Sequence, residues 1–181
     1  MMNENDSSTS TTSNDFSTST SIDNDSVIST LNGLIETCKD GQNGFKEAAE
    51  GVERSDLKSL FYEFSQQRSQ FAGELQSLVQ SMGGDPANSG STLAALHRGW
   101  IDIKSIVTGK DEEAILNECE RGEDSAKSNY RSALEEQLPA NVAETVQTQF
   151  TSIKAAHDRV KALRDSYGAD NTSTNTATTG Y

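Results

Sequence analysis

No stretch of this chain stays apolar for the roughly 18 residues that crossing a bilayer needs, so a membrane-spanning role is not expected. Cysteine is scarce. Cys38 and Cys119 are the only two, they form no metal-type pair, and both fall at apolar positions of helical patterns, which reads as reduced core thiols. Proline occurs twice, at Pro86 and Pro139, and so marks breaks between elements. Positive charge is short: 15 Lys and Arg against 28 Asp and Glu leave a formal net charge of −13. Such a surface repels phosphate backbones and anionic headgroups, so neither nucleic acid nor membrane is expected as a partner. Its plain reading is solubility. The segment Met1-Met2-Asn3-Glu4-Asn5-Asp6 lacks the basic start and apolar stretch of a signal peptide, and a cytoplasmic location is expected. Apolar residues make up only 33 %. The deficit is local: residues 1–25 and 169–181 are rich in Ser, Thr and Asn and are expected to be disordered tails around a domain at 26–168.

What remains is helical periodicity. Ile28, Leu31, Ile35, Cys38, Gln42, Phe45, Ala49 and Val52 step by three and four, the seam of a bundle helix from about Val27 to Val52. Ser55 is the expected N-cap of a second helix carrying Leu57, Phe61, Phe64, Arg68, Phe71, Leu75, Leu78 and Met82. Gly83-Gly84 and Asp85-Pro86 end it. Ser91 or Thr92 opens a shorter helix through Leu93, Leu96, Trp100, Ile103, Ile106 and Val107 to Gly109. Asp111 caps a fourth segment with Leu116, Cys119, Glu123, Ala126, Tyr130 and Ala133 on one face. After Leu138-Pro139 the last helix carries Val142, Val146, Phe150, Ile153, His157, Val160 and Leu163, ending near Tyr167-Gly168. Short links make two antiparallel hairpins. The helix between them, at about 1.5 Å per residue, is long enough to cross most of the bundle. An all-α, ferritin-like four-helix bundle with an additional short crossover helix is the expected fold.

The residues that interrupt the apolar seams are the informative ones. Gln42, Arg68, Glu123 and His157 each lie near the middle of their own helix, so they are expected to meet as one buried polar layer. Ferritin-like metal proteins place two irons or manganeses at this height, held by a Glu from each of two helices and Glu-x-x-His from the other two. Here the second helix has Arg68-Ser69-Gln70-Phe71 and the last has Lys154-Ala155-Ala156-His157, while the first offers Cys38 or Gln42. Only Glu123 and His157 fit the pattern. The preferred expectation is therefore a guanidinium in place of metal: Arg68 pairs bidentately with Glu123, with Gln42 or His157 accepting further hydrogen bonds. The competing expectation has Arg68 extending out along its stem, with Glu123 on the flank. A metal site at Glu120, Glu123 and His157 is the alternative reading. No cofactor and no catalytic residue are expected. His97, near Trp100, reads as packing. The acidic cluster Glu118, Glu120, Glu123 and Asp124 spans two faces, and most of it is expected to be solvated.

The stretch Leu31-Asn32-Gly33-Leu34-Ile35-Glu36-Thr37, then Asp40-Gly41, Gly44-Phe45 and Ala48-Ala49-Glu50, is similar to the start of an uncharacterised bacterial family. Gln67-Arg68, Phe71-Ala72, Met82-Gly83-Gly84, Ala95-Leu96-His97-Arg98-Gly99-Trp100, Glu120-Arg121-Gly122-Glu123-Asp124 and Ala155-Ala156-His157-Asp158-Arg159 extend the resemblance over about 27–167. It is a domain-of-unknown-function family of small four-helix bundles placed in the ferritin-like superfamily. The resemblance implies the fold and hands over no catalytic residues. The expected function is that of a non-enzymatic bundle working through protein contact or self-association, in a stress-related setting. The alternative is a metal-binding ferritin-like protein with a degenerate di-metal site.

Overall fold

The computed structural model describes residues 23–87, 100, 103–109 and 111–176, with side chains in the last helix as far as 169. Residues 1–22 of the expected tail at 1–25, residues 177–181 of the expected tail at 169–181, and the crossover stretch 88–99 with His97 lie outside these residues. Five helices and no strand occur among the described residues: α1 Asn24–Gly51, α2 Ser55–Ser81, α3 Ile103–Gly109, α4 Glu112–Glu135 and α5 Ala140–Thr176. The chain is an all-α protein, with four long helices and one short one among the described residues. None of the helices is long and apolar enough to cross a membrane.

Local chemistry sets the ends. Asp23 caps α1 by accepting from Asp25 N at 3.2 Å, and Asp111 caps α4 by accepting from Ala114 N at 3.1 Å. The cap of α2 differs from expectation: Arg54 is the N-cap and Ser55 is already helical. The missing cap comes from another helix. Oε1 of the buried Glu112 accepts the backbone N–H groups of Glu53 and Arg54, each at 3.0 Å. A carboxylate at a helix N-terminus is favoured by the dipole as well as by the hydrogen bonds. Gly83, with φ of 79°, ends α2, and the N–H groups of Gly83 and Gly84 return to Gln80 O and Val79 O. Helix α5 continues past Tyr167-Gly168 to Thr176.

The chain after α2 is tied to α1. Asn32 Nδ2 donates to Asp85 O at 3.1 Å, Asn32 Oδ1 accepts from Ala87 N at 2.7 Å, and Lys39 Nζ donates to Ala87 O at 2.5 Å. Further along, Trp100 lies against Gly44 of α1 and Gly122 of α4, and Val107 of α3 lies against Gly51. The described parts of the connection therefore lie along α1 from its first half to its end, and α4 begins beside the α1–α2 turn. That makes α4 antiparallel to α1, as the Asn129–Thr37 bond at 3.0 Å confirms in mid-helix. Each hairpin packs closely, α1 packs on α4, and contact between α2 and α5 is sparse.

The core falls into two clusters. One holds Leu31, Ile35, Cys38, Leu75, Tyr130, Val146 and Ile153; the other holds Phe45, Phe61, Leu57, Leu116, Cys119 and Val160. Cys38 and Cys119 are buried free thiols in opposite clusters.

Candidate functional site

Between the two clusters sits an ion pair. Arg68 on α2 and Glu123 on α4 are each 1 % exposed. Arg68 Nη2 donates to both Glu123 oxygens, at 2.9 Å to Oε1 and 2.7 Å to Oε2. The fork-on-fork geometry expected for the pair is not adopted, because Nη1 instead donates to Gln67 Oε1 at 2.6 Å. Arg68 Nε is buried without a hydrogen-bond partner. The guanidinium lies over Phe45 at 5.9 Å and Phe71 at 5.7 Å, one ring from each cluster. Room for its stem comes from Gly41, where an added Cβ would stand 3.3 Å from Arg68 Cγ. Burial pushes the Glu123 carboxyl up, and the Arg68 charge only partly offsets it.

Gln42 and His157 do not join this pair. Gln42 is half-buried, and only its backbone takes part, accepting from Ser65 Oγ at 2.8 Å. Gln67, which directly precedes Arg68 on α2, supplies the accepting amide instead. His157 is buried on α5 but turned toward the α4 flank. Its Nε2 lies 3.1 Å from Lys127 Nζ and 3.1 Å from Asp124 Oδ1, and its Nδ1 lies 2.9 Å from Asp158 Oδ1.

The alternative metal set of Glu120, Glu123 and His157 is therefore regrouped: Glu120, Asp124 and His157 bring their donor atoms within 4.8 Å of one another, with Asp124 in place of Glu123. This group does not fit a di-metal centre. Glu123 is spent on Arg68, Lys127 Nζ stands 3.3 Å from Asp124 Oδ1, and Glu120 faces Arg164 and, at 3.8 Å, Lys161. Three cations crowd the donors that a metal would need. The solvated reading of the acidic cluster is also corrected. Glu118, Glu120 and Glu123 are buried, and only Asp124 is exposed. Each buried one has its own cation: Arg121 for Glu118, Arg164 for Glu120, Arg68 for Glu123.

A second polar layer was not foreseen. Tyr130 Oη donates to Gln149 Oε1 at 2.7 Å and lies 3.0 Å from Cys38 Sγ. Since the tyrosine has one proton and gives it to Gln149, the Cys38 thiol is the donor in the other contact. Gln149 Nε2 then donates to Glu74 Oε2 at 2.8 Å, so one directed chain links α1, α4, α5 and α2. Burial holds both ends of the Cys38–Tyr130 contact neutral: the thiol is pushed up to about 11 and the phenol well above its usual range. Cys119 is likewise pushed up by burial. Neither thiol is a nucleophile at neutral pH. Gln149 could have been found, because Val142, Val146, Gln149, Ile153, Ala156 and Val160 keep the four-three step and all are buried. Tyr130→Phe removes the link that both Cys38 and Gln149 use. It should cost about 1–1.5 kcal/mol in chemical denaturation, and an unchanged midpoint would remove the chain from the list of stabilising features.

Both layers join residues of different helices inside the bundle. No curated protein matches this chain. A family model described as Domain of unknown function (DUF2383) matches residues 26–136, from the start of α1 to the end of α4, and the chain belongs to that family.

Proposed function

We propose that this protein is a non-enzymatic helical bundle that acts through contact with protein, by self-association or with another chain. The observation that carries the reading is the Arg68–Glu123 pair, with its guanidinium between Phe45 and Phe71 at the bundle centre. Two antiparallel hairpins joined by one long connection support a ferritin-like reading of the topology, and in such bundles this is where paired metals are held. A guanidinium there supplies no coordination and no redox chemistry. The acidic surface supports operation in water at a distance from anionic membranes, consistent with a cytoplasmic setting.

The test combines elemental analysis with solution mass on untagged full-length protein. Iron, manganese and zinc should be far below one per chain after dialysis, and Glu120→Gln should leave that unchanged. Close to two iron or manganese ions per chain would overturn the reading in favour of the metal-binding alternative.

A further inference from the structure

Among the described residues, Tyr62 is the one large hydrophobic side chain that is exposed, at 45 %. On α2 it stands one turn from Ser59 and next to Glu63. Both line a groove of about 220 Å³ between α2 and α5, together with Asp56, Leu57, Leu60, Arg159 and Leu163. Leu57 forms a closed floor, while Leu60 and Leu163 are half-buried. The groove is below the roughly 300–1,000 Å³ of small-molecule sites, but cavities of about 150 Å³ accommodate a benzene ring. Its size and apolar floor suit one aromatic side chain.

Charge decides which partner can bring one. At −13 the chain repels copies of itself, unless the approaching patches balance. Around Tyr62 they come close to balance: the exposed Lys58 and Arg159 face the exposed Glu63, and Asp56 and Arg54 neutralise each other in an ion pair. Glu63 and Arg159 make no ion pair within the chain among the described residues. A knob on α2 beside a groove that α2 shares with α5 suits a self-complementary contact under a two-fold axis.

We infer that a second copy of this chain docks here, each Tyr62 entering the other copy's α2–α5 groove and each Glu63 reaching the other copy's Arg159. This rests on the protein-contact reading above and specifies the surface. One aromatic anchor with a charged rim makes a small interface, so the dimer is weak, with Kd on the order of micromolar.

Sedimentation equilibrium on the full chain, from about 1 to 200 µM, brackets that range. Wild type should pass from a 19.5 kDa monomer toward twice that mass. Tyr62→Glu should weaken dimerisation at least tenfold with helicity unchanged, as befits an exposed residue. Glu63→Lys and Arg159→Glu should each weaken it, and the two together should restore it, which no folding defect would do. A wild-type dimer indifferent to all these variants would sink the Tyr62 surface and leave self-association standing. A monomer at every concentration would sink both, while the metal content tested above would still decide whether the bundle is non-enzymatic.

Discussion

Arg68→Leu should destabilise the protein by about 3–5 kcal/mol at neutral pH, which for a chain of this size lowers Tm by roughly 10–15 °C. The cause is what remains behind. Glu123, at 1 % exposure, would keep a charge whose partner has gone. Gln67 Oε1 would also lose its donor. The loss has a defined pH dependence. Burial already raises the Glu123 carboxyl above its ordinary value, and Arg68 is the first of the charges that offset this. Without Arg68 the rise is larger. A folded carboxyl with a raised pKa takes up a proton before the unfolded one does. The penalty is therefore full above the raised value, shrinks as pH falls toward the ordinary carboxylate range, and is gone below it. The variant should recover stability on mild acidification, and thermal melts at several pH values would show it. Replacing both partners, as Arg68→Met with Glu123→Leu, should recover most of the loss at neutral pH, since a well-packed apolar pair often equals a buried ion pair. Melts of Arg68→Leu that match wild type would show that the pair does not hold the helices.

Gly44→Ala should cost about 2–3 kcal/mol and shift Trp100 fluorescence to the red. An added Cβ at Gly44 would lie 2.2 Å from two atoms of the Trp100 ring, and at Gly122 it would lie 2.3 Å from a third. The indole fits between α1 and α4 only because both positions lack a side chain. Its edge then meets the Phe45 ring with centroids 5.0 Å apart. The intrinsic helix preference of Ala over Gly works against the loss, by at most about 1 kcal/mol, and is outweighed by the overlap. Because Trp100 is the single tryptophan, its emission reports this slot alone. Unchanged emission and an unchanged melt in Gly44→Ala would mean the indole is seated elsewhere.

Much of this was readable from spacing. Arg68 and Glu123 stand out because each breaks an otherwise apolar row at mid-helix, and the four-three step gives the hairpins, though not the cap of α2 or the end of α5. Other residues stayed hidden for identifiable reasons. Gln149 lies in the buried row, yet the adjacent Phe150 looked the better core residue; it is only half-buried. Gln67 and Gln42 sit on different helices at similar heights, and spacing does not say which amide reaches the guanidinium. Glu118 and Glu120 look like surface residues because acids usually are; Arg121 is an i,i+3 neighbour of Glu118 on α4, whereas Arg164 reaches Glu120 only once α5 packs on α4. Glu112 reads as an ordinary first-turn acid of α4, while its decisive contacts are with a turn some sixty residues earlier.

In sequence, Gly33, Gly41 and Gly44 lower the helix propensity of α1 and permit close approach; neighbours do come close at Gly41, Gly44 and also Gly51, while nothing lies within 4 Å of a Cβ added at Gly33. With Thr37 and Ala48, Gly41, Gly44 and Gly51 form a second buried row on that helix. Helix propensity is given up there so that Arg68, Trp100 and Val107 can each come close.

The family match ends at Glu136, whereas the chain of hydrogen bonds begun at Cys38 closes only at Gln149 and Glu74. The matched span and the hydrogen-bonded chain thus end at different places. A fragment cut where recognisable ancestry stops would carry an open flank, with a tyrosine and a glutamate facing water where the fifth helix had stood.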